Sequence, residues 1–149
     1  MRHVKYTSLL ALVIMVGSSM GCSMYYRRAN DTAIEKLRQR LVAESFDDIY
    51  RDTSNITRAQ LTLDEFIKIM KVVTVDLKAI DSEIKWARNT TVNYDESVFR
   101  DDNFSSLDLE GNGSKVNVTL DWAGDFKLCG MSTSTDVNDG GKRIFRNCD

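Results

Sequence analysis

The sequence predicts an α+β domain in which N-terminal helices pack on an antiparallel β-meander, with one disulfide near its C-terminal end. Three observations lead there. Apolar residues recur at three- and four-residue steps up to about Asp81, they alternate singly beyond it, and the two cysteines after Cys22 both fall late, at Cys129 and Cys148. Helices first and strands second is the α+β order. The 149 residues are 42% hydrophobic and 28% charged, which suits one folded core rather than a disordered tail.

The chain opens like an export signal. Arg2 and Lys5 precede an unbroken apolar run, Leu9–Val16, and Gly17–Gly21 is small and polar apart from Met20, ending at Cys22. The uncharged stretch Tyr6–Gly21 is shorter than the roughly 20 apolar residues a spanning helix needs. Cleavage is therefore expected. Residues 1–21 are read as signal peptide, 22–29 as a short membrane-proximal tether and 30–149 as a single α+β domain. Tyr25-Tyr26-Arg27-Arg28 suits either a membrane interface or a solvated helix start.

The first helix is expected from Thr32 to about Arg51, on Ile34, Leu37, Leu41, Phe46, Ile49 and Tyr50. Thr32 and Glu35 fit a capping box at its start, each side chain satisfying an amide left open by the first turn. Asp52–Leu61 is polar and reads as a loop, with one short helical turn as the alternative. Thr62 and Glu65 repeat the capping box. They open a second helix whose stripe is Leu63, Phe66, Met70, Val73, Leu77 and Ile80, a pattern that belongs against a core.

Beyond Asp81, Ile84 and Trp86 alternate with charged or small neighbours, and Val92 and Tyr94 extend that strand. Leu107 and Leu109 precede the turn signal Gly111-Asn112-Gly113, after which Val116, Val118, Leu120 and Trp122 alternate with polar residues. This is the clearest hairpin. Ala123-Gly124-Asp125 reads as a turn, Phe126–Ser132 as a strand, Asp136–Gly141 as a loop and Lys142–Cys148 as the closing strand.

Two resemblances bear on function. Ser18-Ser19-Met20-Gly21-Cys22 resembles the lipobox of bacterial lipoproteins, which implies that Cys22 is lipidated and becomes the mature N-terminus. Ser19 and Gly21 also satisfy the small-residue rule of ordinary signal peptidase. Cysteine arithmetic favours lipidation, because a Cys129–Cys148 pair would leave an unmodified Cys22 as a lone thiol in an oxidising compartment. With Ser23 after the lipidated position, the resemblance implies the periplasmic face of the outer membrane. The order of elements, with Phe46, Ile49 and Tyr50 ending one helix and Thr62, Glu65, Phe66 and Met70 opening the next, resembles small exported proteins of the NTF2-like, or cystatin-like, superfamily. That resemblance implies a curved sheet around a helix, often with a conical pocket.

Candidate chemistries narrow quickly. Cys129 and Cys148 lack CxxC spacing, so a structural disulfide is expected rather than a metal or redox pair. Asp136-Val137-Asn138-Asp139-Gly140-Gly141 begins like a calcium loop, but Asn147 stands where a bidentate Glu is required. Asp95-Glu96, Asp101-Asp102, and Asp108 with Glu110 could supply paired carboxylates, although acids clustered in turns are ordinarily solvated. Loss of residues 1–21 removes Arg2, Lys5 and the only histidine, His3, so the remainder is more acidic than the whole chain's −2. It then lacks the usual base of nucleophilic triads and any charge that would attract nucleic acid.

The expected function is that of a non-enzymatic binding or accessory module of the bacterial envelope, anchored through Cys22, with no cofactor or metal. Its partner would be another envelope protein or a ligand. The alternative is a carrier or sensor of small apolar ligands, using a pocket lined by Trp86, Tyr94 and Trp122.

Overall fold

The structure, a computed structural model, describes residues 27–88, 103–135 and 141–148. The chain divides into two units, Met1–Glu35 and Lys36–Asp149. In the first, residues 27–35 are helical. Thr32 sits inside this helix and donates its hydroxyl to the Arg28 carbonyl at 2.8 Å, a bond back along the helix. The Thr32/Glu35 capping box therefore does not start the first helix as expected.

Helix α1 covers 27–42, of which 36–42 belong to the second unit. It does not run on to Arg51. Glu44 adopts a left-handed φ of 55°, the Ser45 amide donates to the Arg40 carbonyl at 2.9 Å, and the Glu44 amide donates to the Leu41 carbonyl at 3.1 Å. This is a Schellman stop built on glutamate instead of glycine. Lys78 holds it in place, donating to the Val42 carbonyl at 3.0 Å and pairing with the Glu44 carboxylate at 2.7 Å. A new helix, α2 (Phe46–Arg51), then starts, and the five-residue step from Leu41 to Phe46 is the trace of the break in the apolar pattern.

The segment expected as a loop forms α3 (Asn55–Gln60), capped by Ser54, whose side chain accepts from the Thr57 amide at 3.1 Å. Helix α4 (Leu63–Ile80) starts on the predicted capping box: the Glu65 carboxylate accepts from the Thr62 amide at 2.9 Å, and the Thr62 hydroxyl accepts from the Glu65 amide at 3.3 Å. Phe66, Met70, Val73 and Leu77 are buried, as the stripe requires, whereas Leu63 at its start is exposed and Ile80 at its end is half-buried.

After α4 the expected strand starts late. The Asp81 carboxylate accepts from the amides of Glu83, at 3.0 Å, and Lys85, at 2.9 Å, and Ile84 takes a left-handed φ of 50°. Ile84 and Trp86 thus lie in a turn organised by Asp81, and β1 is only Ala87–Arg88. Single alternation over so few residues does not separate a strand from a side-chain-bonded turn. Val92 and Tyr94 lie outside the described residues.

The sheet continues with β2 (Asn103–Gly111), β3 (Ser114–Ala123), β4 (Lys127–Ser134) and β5 (Lys142–Arg146), antiparallel throughout in the order β1-β2-β3-β4-β5. This is the predicted meander. Asn112 and Gly113 turn the β2–β3 hairpin with φ of 49° and 74°, the backbone of a type I′ turn. Leu107, Leu109, Val118, Leu120, Met131 and Phe145 are buried on the sheet's inner side. There Phe66 of α4 meets Phe145 of β5 edge-on at 5.6 Å and Tyr50 of α2 at 5.4 Å, so one aromatic chain joins both helices to the last strand.

The disulfide forms as expected: Cys129 of β4 is bonded to Cys148, just past β5, with Cα atoms 4.9 Å apart. Beside it, the Asn147 amide donates to the Cys129 carbonyl at 2.7 Å. The Ser54 amide donates to the Leu128 carbonyl at 3.0 Å, which ties the α2–α3 connection to the same end of β4. Among the described residues, no helix is long and apolar enough to cross a membrane.

Candidate functional site

Because successive side chains on a strand point to opposite faces, the residues that alternate with the buried Val118, Leu120 and Trp122 of β3 form the outer face of the sheet. Register fixes their rows. One row runs Asp108, Asn117, Ser134; the next Ser106, Thr119, Ser132, Arg143; the last Phe104, Asp121, Gly130, Arg146. The first two are polar, and Asn117 binds them together by donating to Ser106 Oγ at 2.8 Å and Asp108 Oδ1 at 2.9 Å. In the third, a Cβ added at Gly130 would run into the Asp121 carboxylate, which lies across that position.

The pairing of β4 with β5 shifts between Met131 and Ser132, and there Ile144 is the extra residue. The shift has a chemical consequence. Arg143 stands opposite Ser132 and Arg146 opposite Gly130, two positions of β4 that share a face. In a regular strand, residues three apart point to opposite faces; the bulge brings both arginines to the outer one. Lys142, Arg143 and Arg146 are exposed, and none has an ion pair or side-chain hydrogen bond among the described residues.

Several other cations are occupied. Lys36 and Arg40 of α1 bond Asp52 Oδ2, Lys36 at 2.6 Å, and Lys127 approaches Oδ1 at 3.5 Å. Partial burial pushes the Asp52 carboxyl up, but the hydrogen bonds from Lys36 and Arg40 outweigh it and hold the group well below the usual carboxylate range. Lys115 bridges Glu110 at 2.6 Å and Asp108 at 3.2 Å; the bonds from Glu110 and then Asp108 raise its pKa. One cation is thus shared by two acids on the outer face.

β5 also ends the sheet. Its backbone pairs with β4 on one side, and on the other no hydrogen bond forms among the described residues. An open strand edge offers a ladder of N–H and C=O groups to another extended chain. The aligned arginines and this edge make β5 the part of the described structure best equipped for recognition.

The aromatic residues singled out by sequence have different settings. Trp122 is 3% exposed and its indole donates to Ser105 Oγ at 2.9 Å, so it is a packed, satisfied core residue. Trp86 is half-buried, and its indole N–H is buried with no partner among the described residues. No ring contact joins these two tryptophans among the described residues. Tyr94 and Cys22 lie outside the described residues, as do positions 136–140 of the calcium-like loop and the acids at 95, 96, 101 and 102. Among the described residues no group of His, Cys, Asp and Glu side chains is placed to hold a metal ion.

Sequence reasoning passed over Arg143 and Arg146. A signal was present: Ile144 and Phe145 are adjacent apolar residues in an otherwise charged strand, and a break in single alternation marks a bulge. Compared with protein-family models, with curated proteins and with solved structures, the chain has no match.

Proposed function

We propose that this chain is a lipid-anchored protein of the bacterial cell envelope that works as a non-enzymatic binding module on the periplasmic face of the outer membrane. The observation that carries the reading is the Arg2/Lys5, Leu9–Val16, Ser18–Cys22 layout of the N-terminus. The Cys129–Cys148 bridge supports it twice over. Such bridges persist in oxidising compartments, and this one leaves Cys22 as the cysteine outside it, the residue a lipidating enzyme would modify. The helix-then-meander order, with α4 set by its capping box against the sheet, supports an NTF2-like arrangement for the domain.

Binding through β5 accords better with the geometry than a carrier pocket, since Trp122, one of the three aromatics such a pocket would use, is packed and hydrogen-bonded. The deciding experiment is the non-reduced intact mass of the protein from its native membrane fraction. The expected mass is that of Cys22–Asp149 plus a diacylglyceryl group, with or without a third acyl chain, less two hydrogens for the disulfide. An unmodified mature mass, or an uncleaved one, overturns the anchored reading.

A further inference from the structure

We infer that the open edge of β5 receives an extended, acidic segment of a partner protein, which adds to the sheet as one more strand while its carboxylates pair with Arg143 and Arg146. The inference rests on the binding-module reading and gives it a partner class. Two independent features point to the same occupant. The outer-edge N–H and C=O groups of Lys142–Arg146, which have no partner among the described residues, can be satisfied as a ladder only by another extended backbone. The bulge at Ile144 sets Arg143 and Arg146 beside alternate positions of β4, roughly 7 Å apart along the strand, the repeat of side chains on one face of an added strand.

Charge selects among occupants. Lys142, Arg143 and Arg146 form a local positive cluster without partners among the described residues, in a chain whose formal net charge is −2. Pairing of two copies through this edge would bring like charges face to face, so the cations that would recruit an acidic strand also guard against self-association. An anionic membrane could engage the arginines, but it would leave the backbone edge unused. An acidic peptide satisfies both. Arginine suits the task because its planar donors meet a carboxylate in pairs.

The test uses the full chain in detergent micelles and a fluorescein-labelled, end-blocked peptide of alternating Glu and Val. Binding is read by anisotropy and the contact by amide chemical shifts. The peptide should bind, shift the β5 amides, and weaken as salt rises; the exposed double variant Arg143→Gln/Arg146→Gln should keep the wild-type melting temperature and bind about tenfold more weakly. A Lys-for-Glu peptide, and a Glu peptide N-methylated at alternate residues so that it keeps its charge but cannot form a ladder, should not bind. Failure of the Glu peptide, equal binding of its N-methylated form, or capture through the same arginines only by phosphatidylglycerol vesicles overturns the inference. A chain with the lipidated mass that ignores the peptide overturns this inference alone, whereas a peptide-binding chain with an unmodified mass overturns the anchor alone.

Discussion

Asn112, at the tip of the β2–β3 hairpin, donates its side-chain amide to the carbonyl of Ala79 at 2.8 Å, and so fastens the turn to the last turn of α4. The neighbouring Gly111 lies so close that a Cβ there would overlap the Ile80 carbonyl oxygen. The hairpin tip thus satisfies one carbonyl of the helix end and closes over another. Asn112→Gly keeps a residue suited to φ of 49° and removes only the bond, so it should cost about 1 kcal/mol. Gly111→Ala should cost about 2–3 kcal/mol, because backbone must move to admit the methyl. Urea denaturation of both variants measures the difference.

The Cys129–Cys148 bridge closes a loop with a sequence separation of 19, which in the chain-entropy model is worth about 3 kcal/mol. Replacing both cysteines by alanine should lower stability by about that amount and move the urea midpoint accordingly. Cys22→Ala, which leaves the bridge intact, should not move it.

Asp52 sets an acid limit. Its carboxyl is held below the ordinary value of 3.8 in the folded protein, so its contribution is present above that pH and is lost as pH falls below it toward the folded value. The side chain is 33% exposed, which holds the contribution to about 1 kcal/mol after solvent screening. Asp52→Asn should destabilise the protein by about that amount at pH 7 and flatten the fall in melting temperature below about pH 4. A melting series from pH 2 to pH 7 reads both effects.

Thr74 is 1% exposed in α4, and its hydroxyl has no hydrogen-bond partner among the described residues. A buried hydroxyl without a partner loses hydration for no return, so the near-isosteric Thr74→Val should stabilise by about 1 kcal/mol. Thr57 is the internal control: it is equally buried, but its hydroxyl meets Ser54 Oγ at 2.9 Å. Thr57→Val should destabilise, and thermal melts of the pair should move in opposite directions.

Several features that depend only on residues close in sequence were legible along the chain. The α4 capping box needs only Thr62 and Glu65, the α4 stripe only the helical repeat, and the hairpin only a turn pair between alternating runs. The Cys129–Cys148 bridge followed from counting three cysteines. Some local features were still missed, the Ser54 cap of α3 and the Asp81 turn among them, because short polar segments admit several side-chain bonding patterns; the stop of α1 was decided by a distant group. The apolar pattern marks the break at Glu44 only by the five-residue step from Leu41 to Phe46, and Lys78, far along the chain, secures the stop.

The register of β4 and β5 belongs to the same class. β5 was expected as a strand even though Ile144 and Phe145 break its alternation. That Arg143 and Arg146 share a face depends on which residues of β4 stand opposite, and the shift at Met131 and Ser132 decides it. Whether Trp122 lines a pocket or fills a core was likewise undetermined until Ser105, on the neighbouring strand, came within hydrogen-bond reach. Capping, periodicity and turn chemistry act over a few residues and can be read along the chain. Register, and the pairing of side chains across strands, are set by contacts between residues far apart in sequence, and only the folded chain resolves them.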